Sequence, residues 1–151
     1  MDKAKLLIKE LAEVTGTDVE LDESGICELE ADGNLLVLRY REARKDWLCF
    51  GVALDGGGEG ISRETLAKAL ELNLFGAETD GFSLGLFGNS LILSDSVPAA
   101  DLAAEEFAMR LLALSRKIAA ISERLQGTDG GGQNVEHEAV FSALDDRFIQ
   151  V

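Results

Sequence analysis

Gly81-Phe82-Ser83-Leu84-Gly85 has the spacing Gly-x-Ser-x-Gly. In an α/β hydrolase that spacing sets the serine on a sharp strand-to-helix turn, where its Oγ is exposed as a nucleophile. Here the surrounding residues argue for a strand. Phe82, Leu84 and Leu86 alternate with Ser83, Gly85 and Phe87, and a second apolar run follows. The one histidine, His137, lies beyond a glycine-rich stretch, and the chain is short for a hydrolase fold. A strand serine on the more polar face accounts for Ser83. A small serine hydrolase using Ser83 with His137 is the rival reading.

The other chemistry-bearing residues are also poorly placed for catalysis. The Asp55-Gly-Gly-Gly-Glu-Gly60 loop lacks the Gly-Lys-Ser/Thr ending of a phosphate-binding loop and is flanked by acids. Asp22-Glu23, Glu105-Glu106 and Asp145-Asp146 do not alternate as calcium ligands do, and they read as solvated surface. One histidine and two separated cysteines, Cys27 and Cys49, make no zinc set. Both cysteines sit in apolar, strand-like runs and read as buried, reduced thiols, with a cross-strand disulfide as the alternative. The inventory points to recognition: no enzyme activity, cofactor or metal is expected.

A net charge of −14 over 151 residues argues against nucleic acid, which is held by Lys and Arg displacing counterions, and against anionic membrane surfaces. With 46% apolar residues a chain of this length can bury one domain core. No apolar run approaches the ~20 residues of a membrane-spanning helix. Charges threaded through Met1–Val14 do not form a secretory leader. A cytoplasmic protein is expected.

These residues must be positioned by a small set of elements. Ala4, Leu7, Ile8, Leu11 and Val14 fall on one face of a helix over Lys3–Val14, stopped by Gly16, with Leu6 off the stripe. Three strands follow at Gly25–Ala31, Asn34–Arg41 and Trp47–Leu54, the first two joined by the turn pair Asp32-Gly33. Ser62 is a plausible cap for a helix to about Leu74, with Leu66, Ala69, Leu70 and Asn73 on one side. A hairpin then turns at Gly88-Asn89, between Phe82–Phe87 and Ser90–Leu93. Pro98 marks the first turn of a last helix, along which Phe107, Leu111, Leu114, Ile118, Ile121 and Leu125 recur at spacings of four and three. The order α-βββ-α-ββ-α describes an α+β domain over residues 1–126, built on an antiparallel sheet packed with helices. A Gly-rich linker, 127–134, leads to an acidic amphipathic tail, 135–151, where Val140, Phe141, Leu144 and Phe148 lie at helical spacing.

The strands are apolar on both faces, whereas a sheet with one face in water alternates cleanly. The second face must be covered by a helix of the chain or by a partner. With Leu36, Leu38 and Tyr40 taken together with Leu48, Phe50, Val52 and Leu54 as the core side, Leu35, Val37, Trp47 and Cys49 fall on the opposite side. Together with Leu6 they form the candidate partner-contact set.

The element order, Leu72-Asn-Leu-Phe-Gly-Ala-Glu78, Gly81-Phe-Ser-Leu-Gly-Leu86, Ser90-Leu-Ile-Leu-Ser-Asp-Ser-Val-Pro98 and the stretch from Leu6 to Gly16 resemble the class I chaperones of bacterial type III secretion, the CesT/SycE-like family. The resemblance covers roughly residues 3–125. It implies a cytoplasmic bacterial homodimer that binds the extended N-terminal segment of a secreted effector without ATP and keeps it soluble and export-competent. Part of the effector would add a strand to the sheet. It also implies a dimer contact through the second helix and the strand after it, here Leu70, Leu74, Phe75, Phe82, Leu84 and Leu86. The tail is then either a contact for the secretion ATPase or a solubilising segment. An adaptor or regulator of a folded partner is the other alternative.

Overall fold

The computed structural model describes residues 1–127. The tail 135–151, almost all of the linker before it, and His137 lie outside the described residues.

Helix α1 (Asp2–Thr15) buries Ala4, Leu7, Ile8 and Leu11 and ends at Gly16, whose left-handed φ of 66° lets its amide reach the carbonyl of Ala12. Val14, expected on the same face, is exposed. Strands β1 (Ile26–Ala31), β2 (Asn34–Arg41) and β3 (Asp46–Asp55) form an antiparallel meander. Asp32 and Gly33 both take positive φ, 50° and 81°, as the two-residue primed turn between β1 and β2 demands. The β2–β3 connection is closed by a two-point ion pair in which Arg41 Nε and NH2 donate to Asp46 Oδ1 and Oδ2 at 2.8 and 2.6 Å.

Helix α2 (Arg63–Asn73) starts where Ser62 Oγ accepts the amide of Thr65 at 3.1 Å. Strands β4 (Ser83–Phe87) and β5 (Ser90–Pro98) form the second hairpin, and helix α3 (Ala104–Gln126) completes the described chain. Pro98 therefore ends a strand that is longer than the sequence suggests, and α3 begins six residues after it. The glycine loop is a structural clamp: Gly56 donates to the carbonyl of Asn89 at 2.7 Å, and Asn89 Nδ2 donates to that of Gly57 at 2.9 Å. Ser83 lies within regular strand and not on a strand-to-helix turn.

The five strands form one antiparallel sheet in the order β1-β2-β3-β5-β4, so β1 and β4 are its edges. Helix α3 lies on one face. Phe107, Leu111, Leu114, Ile118, Ile121 and Leu125 are all fully buried there, as their spacing predicts. The helix crosses β3 at Gly51, where a Cβ would come within 2.6 Å of Ile118 Cδ1. Ser115 fixes its rotation by donating to the carbonyl of Ala31 and accepting from Asn34 Nδ2, which pins α3 to the first hairpin.

Register corrects the assignment of faces. Leu38 pairs with Cys49 and Tyr40 with Trp47, whereas Val37 pairs with Phe50 and Arg39 with Leu48. Directly opposed residues share a face. Trp47 and Cys49 thus join Leu36 and Leu38 under α1 and α3, and Phe50 and Leu48 join Leu35 and Val37 on the other face. That outer face holds a cluster of Val37, Phe50 and Ile92, with Ile26, Leu48 and Phe87 packed around it, and all six are strand residues. No helix among the described residues is long and apolar enough to cross a membrane.

Candidate protein-binding surfaces

The first surface lies along edge strand β1. Helix α1 stops at Thr15, and α3 passes behind β1, leaving an apolar groove of about 340 Å³ lined by Thr15, Leu29, Ala31, Ala108, Met109 and Leu112. Met109 stands at its mouth, 74% exposed, because it falls between the buried positions Phe107 and Leu111. Glu30 is the one charged residue among the described residues of the lining. Among the described residues β1 pairs with β2 alone, so its other side offers backbone N–H and C=O groups to an added strand.

The second surface is the outer face. On its β4 side is a hollow of about 330 Å³ whose lining includes Arg41, Leu48, Phe50, Phe87 and Ile92 together with strand β4 from Ser83 to Leu86. The third surface runs from α2 into the turn after it and on to β4. There Leu70 is 72% exposed and Phe75 94%, and Leu74 and Leu86 are more than half exposed. Phe75 is also held at a φ of 59°, a conformation that non-glycine residues adopt at a cost. Helix α2 buries Thr65, Ala69 and Leu72, so Leu70, expected on its packed side, faces out.

The residues singled out from sequence divide between surface and core. Leu6 is 56% exposed on α1, and Leu35 is half-buried beside Val37 on the outer face. Trp47 and Cys49 leave the partner-contact set. Trp47 has no exposed surface and packs between Tyr40 and Phe107, with ring centroids at 5.2 and 5.5 Å. Of the proposed dimer residues, Leu84 is buried in the core and Phe82 packs against it, which leaves Leu70, Leu74, Phe75 and Leu86 accessible. Residue pattern alone places Phe50 and Leu48 in the core and gives no signal at Ile92 or Met109. Only the strand register and the helix rotation reveal these four.

Burial, and then the nearby charges of Asp22 and Glu28, push the Cys27 thiol up to about 12. Burial, followed by Asp95, raises Cys49 well above its ordinary value. Both thiols are free, protonated core groups. Among the described residues no three His, Cys, Asp or Glu side chains come together as metal ligands.

Comparison with known proteins agrees with this architecture. The profile of the Tir chaperone protein (CesT) family matches residues 6–120. Solved structures with a similar fold include the following three. A chain of the Yersinia pestis type III secretion chaperone SycH in complex with a stable fragment of YscM2 is 21% identical, with a TM-score of 0.60 over 78% of this chain and 98% of that one. A chain of the ExsC–ExsE complex is 21% identical, with a TM-score of 0.69 over 82% and 94%. A chain of the ExoT–SpcS complex from Pseudomonas aeruginosa is 21% identical, with a TM-score of 0.55 over 81% and 96%. No curated protein sequence matches. With its five-stranded antiparallel sheet, its helices and its family profile in agreement, the chain has the fold of type III secretion chaperones and belongs to the Tir chaperone protein (CesT) family.

Proposed function

We propose that this chain is a non-enzymatic chaperone of the bacterial cytoplasm that holds the extended N-terminal segment of a secreted effector. The observation that carries the reading is an edge strand, β1, unpaired on one side among the described residues and lying directly beside an apolar groove. A client segment laid along β1 gains backbone hydrogen bonds, and its alternate side chains enter the groove between α1 and α3. Leu35 on the outer face meets the side chains that point the other way, whereas Val37 beside it is buried with Phe50 and Ile92 and leaves the contact set, and Leu6 extends the apolar track over α1. Ordering a disordered segment costs entropy, so a long, mostly apolar contact is needed to offset it. In the solved relatives a SycH chain is in complex with YscM2 and an SpcS chain with ExoT, which supports a protein client for this one.

Two copies associate through the exposed residues of α2 and β4, Leu70, Leu74, Phe75 and Leu86, leaving β1 free at each end of the dimer. The test is to purify the chain with its client from native cytosol, identify the client by mass spectrometry, and digest the complex with a protease. A protected N-terminal fragment of the client, degraded when the client is alone, supports the reading. A client that is equally folded and protease-resistant when free shows instead an adaptor for a folded partner.

A further inference from the structure

The hollow on the β4 side of the outer face lies apart from the client groove and has its own chemistry. Leu48, Phe50, Phe87 and Ile92 give it apolar walls, and Gly85 leaves its floor open, with nothing within 4 Å of where a Cβ would stand. Among the described residues its one charged lining residue is Arg41, paired with Asp46, and no carboxylate lines it. The client groove, by contrast, is lined by Glu30. In a chain of net charge −14 this hollow is the apolar site least repellent to an acidic segment.

The chain itself supplies such a segment. Residues 135–151 contain Glu136, Glu138, Asp145 and Asp146 against one arginine, Arg147, and carry Val140, Phe141, Leu144 and Phe148 at helical spacing. The described chain ends beside the turn that precedes β4. Near its end, Arg124 of α3 donates to Glu78 at 2.7 Å, and Glu78 lies five residues before Ser83, which opens β4 and lines the hollow. The Gly-rich linker 127–134 spans about 16 Å as a flexible coil and up to about 28 Å extended. Strand β4, only five residues long, is about 17 Å from end to end. The linker is therefore long enough to carry the tail past Ser83, at the start of β4, to the outer face without crossing the α2–β4 dimer patch.

We infer that the hollow of Leu48, Phe50, Phe87 and Ile92 is a docking site for the chain's own tail, which seats Phe141 and Leu144 there. This gives the outer face an internal cover over β3, β5 and β4 while the β1 side stays open. The inference stands on the hollow and on where the chain leaves α3, and it holds wherever a client binds.

The experiment uses the full chain carrying Ser83→Cys and Ala143→Cys, treated with a short bis-maleimide. The native thiols are buried and do not compete. Ser83 lies on the outer face, and Ala143 flanks the apolar stripe of the tail. The expected product is a cross-link within one chain, formed at a rate independent of protein concentration. Adding Phe141→Asp slows it about tenfold, the least expected from removing one buried aromatic. An equal rate with and without Phe141→Asp would mean a tethered but undocked tail and would overturn the inference. A product formed only between chains overturns it too, because the occupant is then a second copy.

Discussion

Asn73 and Leu84 are joined by a hydrogen bond of 2.8 Å, in which the Asn73 side-chain oxygen accepts the backbone amide of Leu84. It ties the end of α2 to edge strand β4, beside the exposed apolar patch of Leu70, Leu74, Phe75 and Leu86. Asn73→Ala leaves that amide without its partner in a partly buried place and is expected to cost about 1–3 kcal/mol in chemical denaturation. Asn73→Asp keeps an acceptor and should lose less. Equal losses for the two variants would show that the bond contributes nothing specific.

Trp47 separates core from surface. It is fully buried between Tyr40 and Phe107, so Trp47→Ala should destabilise the chain by about 3–5 kcal/mol. Leu35→Asp, at a half-buried position on the face that none of the described helices covers, should cost about 1 kcal/mol or less. Urea titration of both variants checks the pair, and the reverse ranking would invert the assignment of faces.

The patch on α2 and β4 predicts the oligomeric state. Sedimentation velocity should find the native chain as a dimer and the Leu70→Asp/Leu86→Asp variant as a folded monomer. Both residues are more than half exposed, so neither change disturbs the core. A variant that stays dimeric would move the interface elsewhere.

The buried thiols predict a loss of stability in alkali. The folded state keeps the Cys27 proton up to about pH 12, whereas the unfolded chain releases it near 9.0. Above pH 9.0 the unfolded state therefore binds fewer protons, and stability falls as pH rises. Stability is complete below that value and drops by about 1.4 kcal/mol per pH unit for each such thiol on the way to the folded value. Cys27→Ala should flatten the decline relative to the native chain. An unchanged slope would show that the thiol titrates alike in both states.

Much of the fold could be read from residue patterns, because its signals are local. The six-residue apolar stripe of α3, the primed turn at Asp32-Gly33, the Ser62 cap and the limits of β2 are each contained within a few neighbouring positions. The faces of β3 were not readable in this way. Both β2 and β3 are apolar on each side, and a slip of one residue exchanges every side chain between faces. Only the pairing of Arg41 with Asp46 settles that Trp47 goes inward and Phe50 outward. Strand β5 was cut short because Ser94-Asp95-Ser96 looks like a loop. Its pairing with β3 and the 2.8 Å bond from Arg110 to Asp95 keep it extended to Pro98. Met109 carries no signal in the sequence because it stands off the buried stripe, and that position is what brings it to the groove.

The affinity of the client's N-terminal peptide for chaperone variants tests the central claim most directly. Titration calorimetry with the native chain, with Leu35→Asp/Met109→Asp on the β1 side, and with Leu86→Asp on the opposite edge separates the surfaces. The account predicts at least a roughly tenfold weaker Kd for the β1-side variant and an unchanged intrinsic Kd for Leu86→Asp. An unchanged Kd for Leu35→Asp/Met109→Asp, with binding lost in Leu86→Asp, would contradict it.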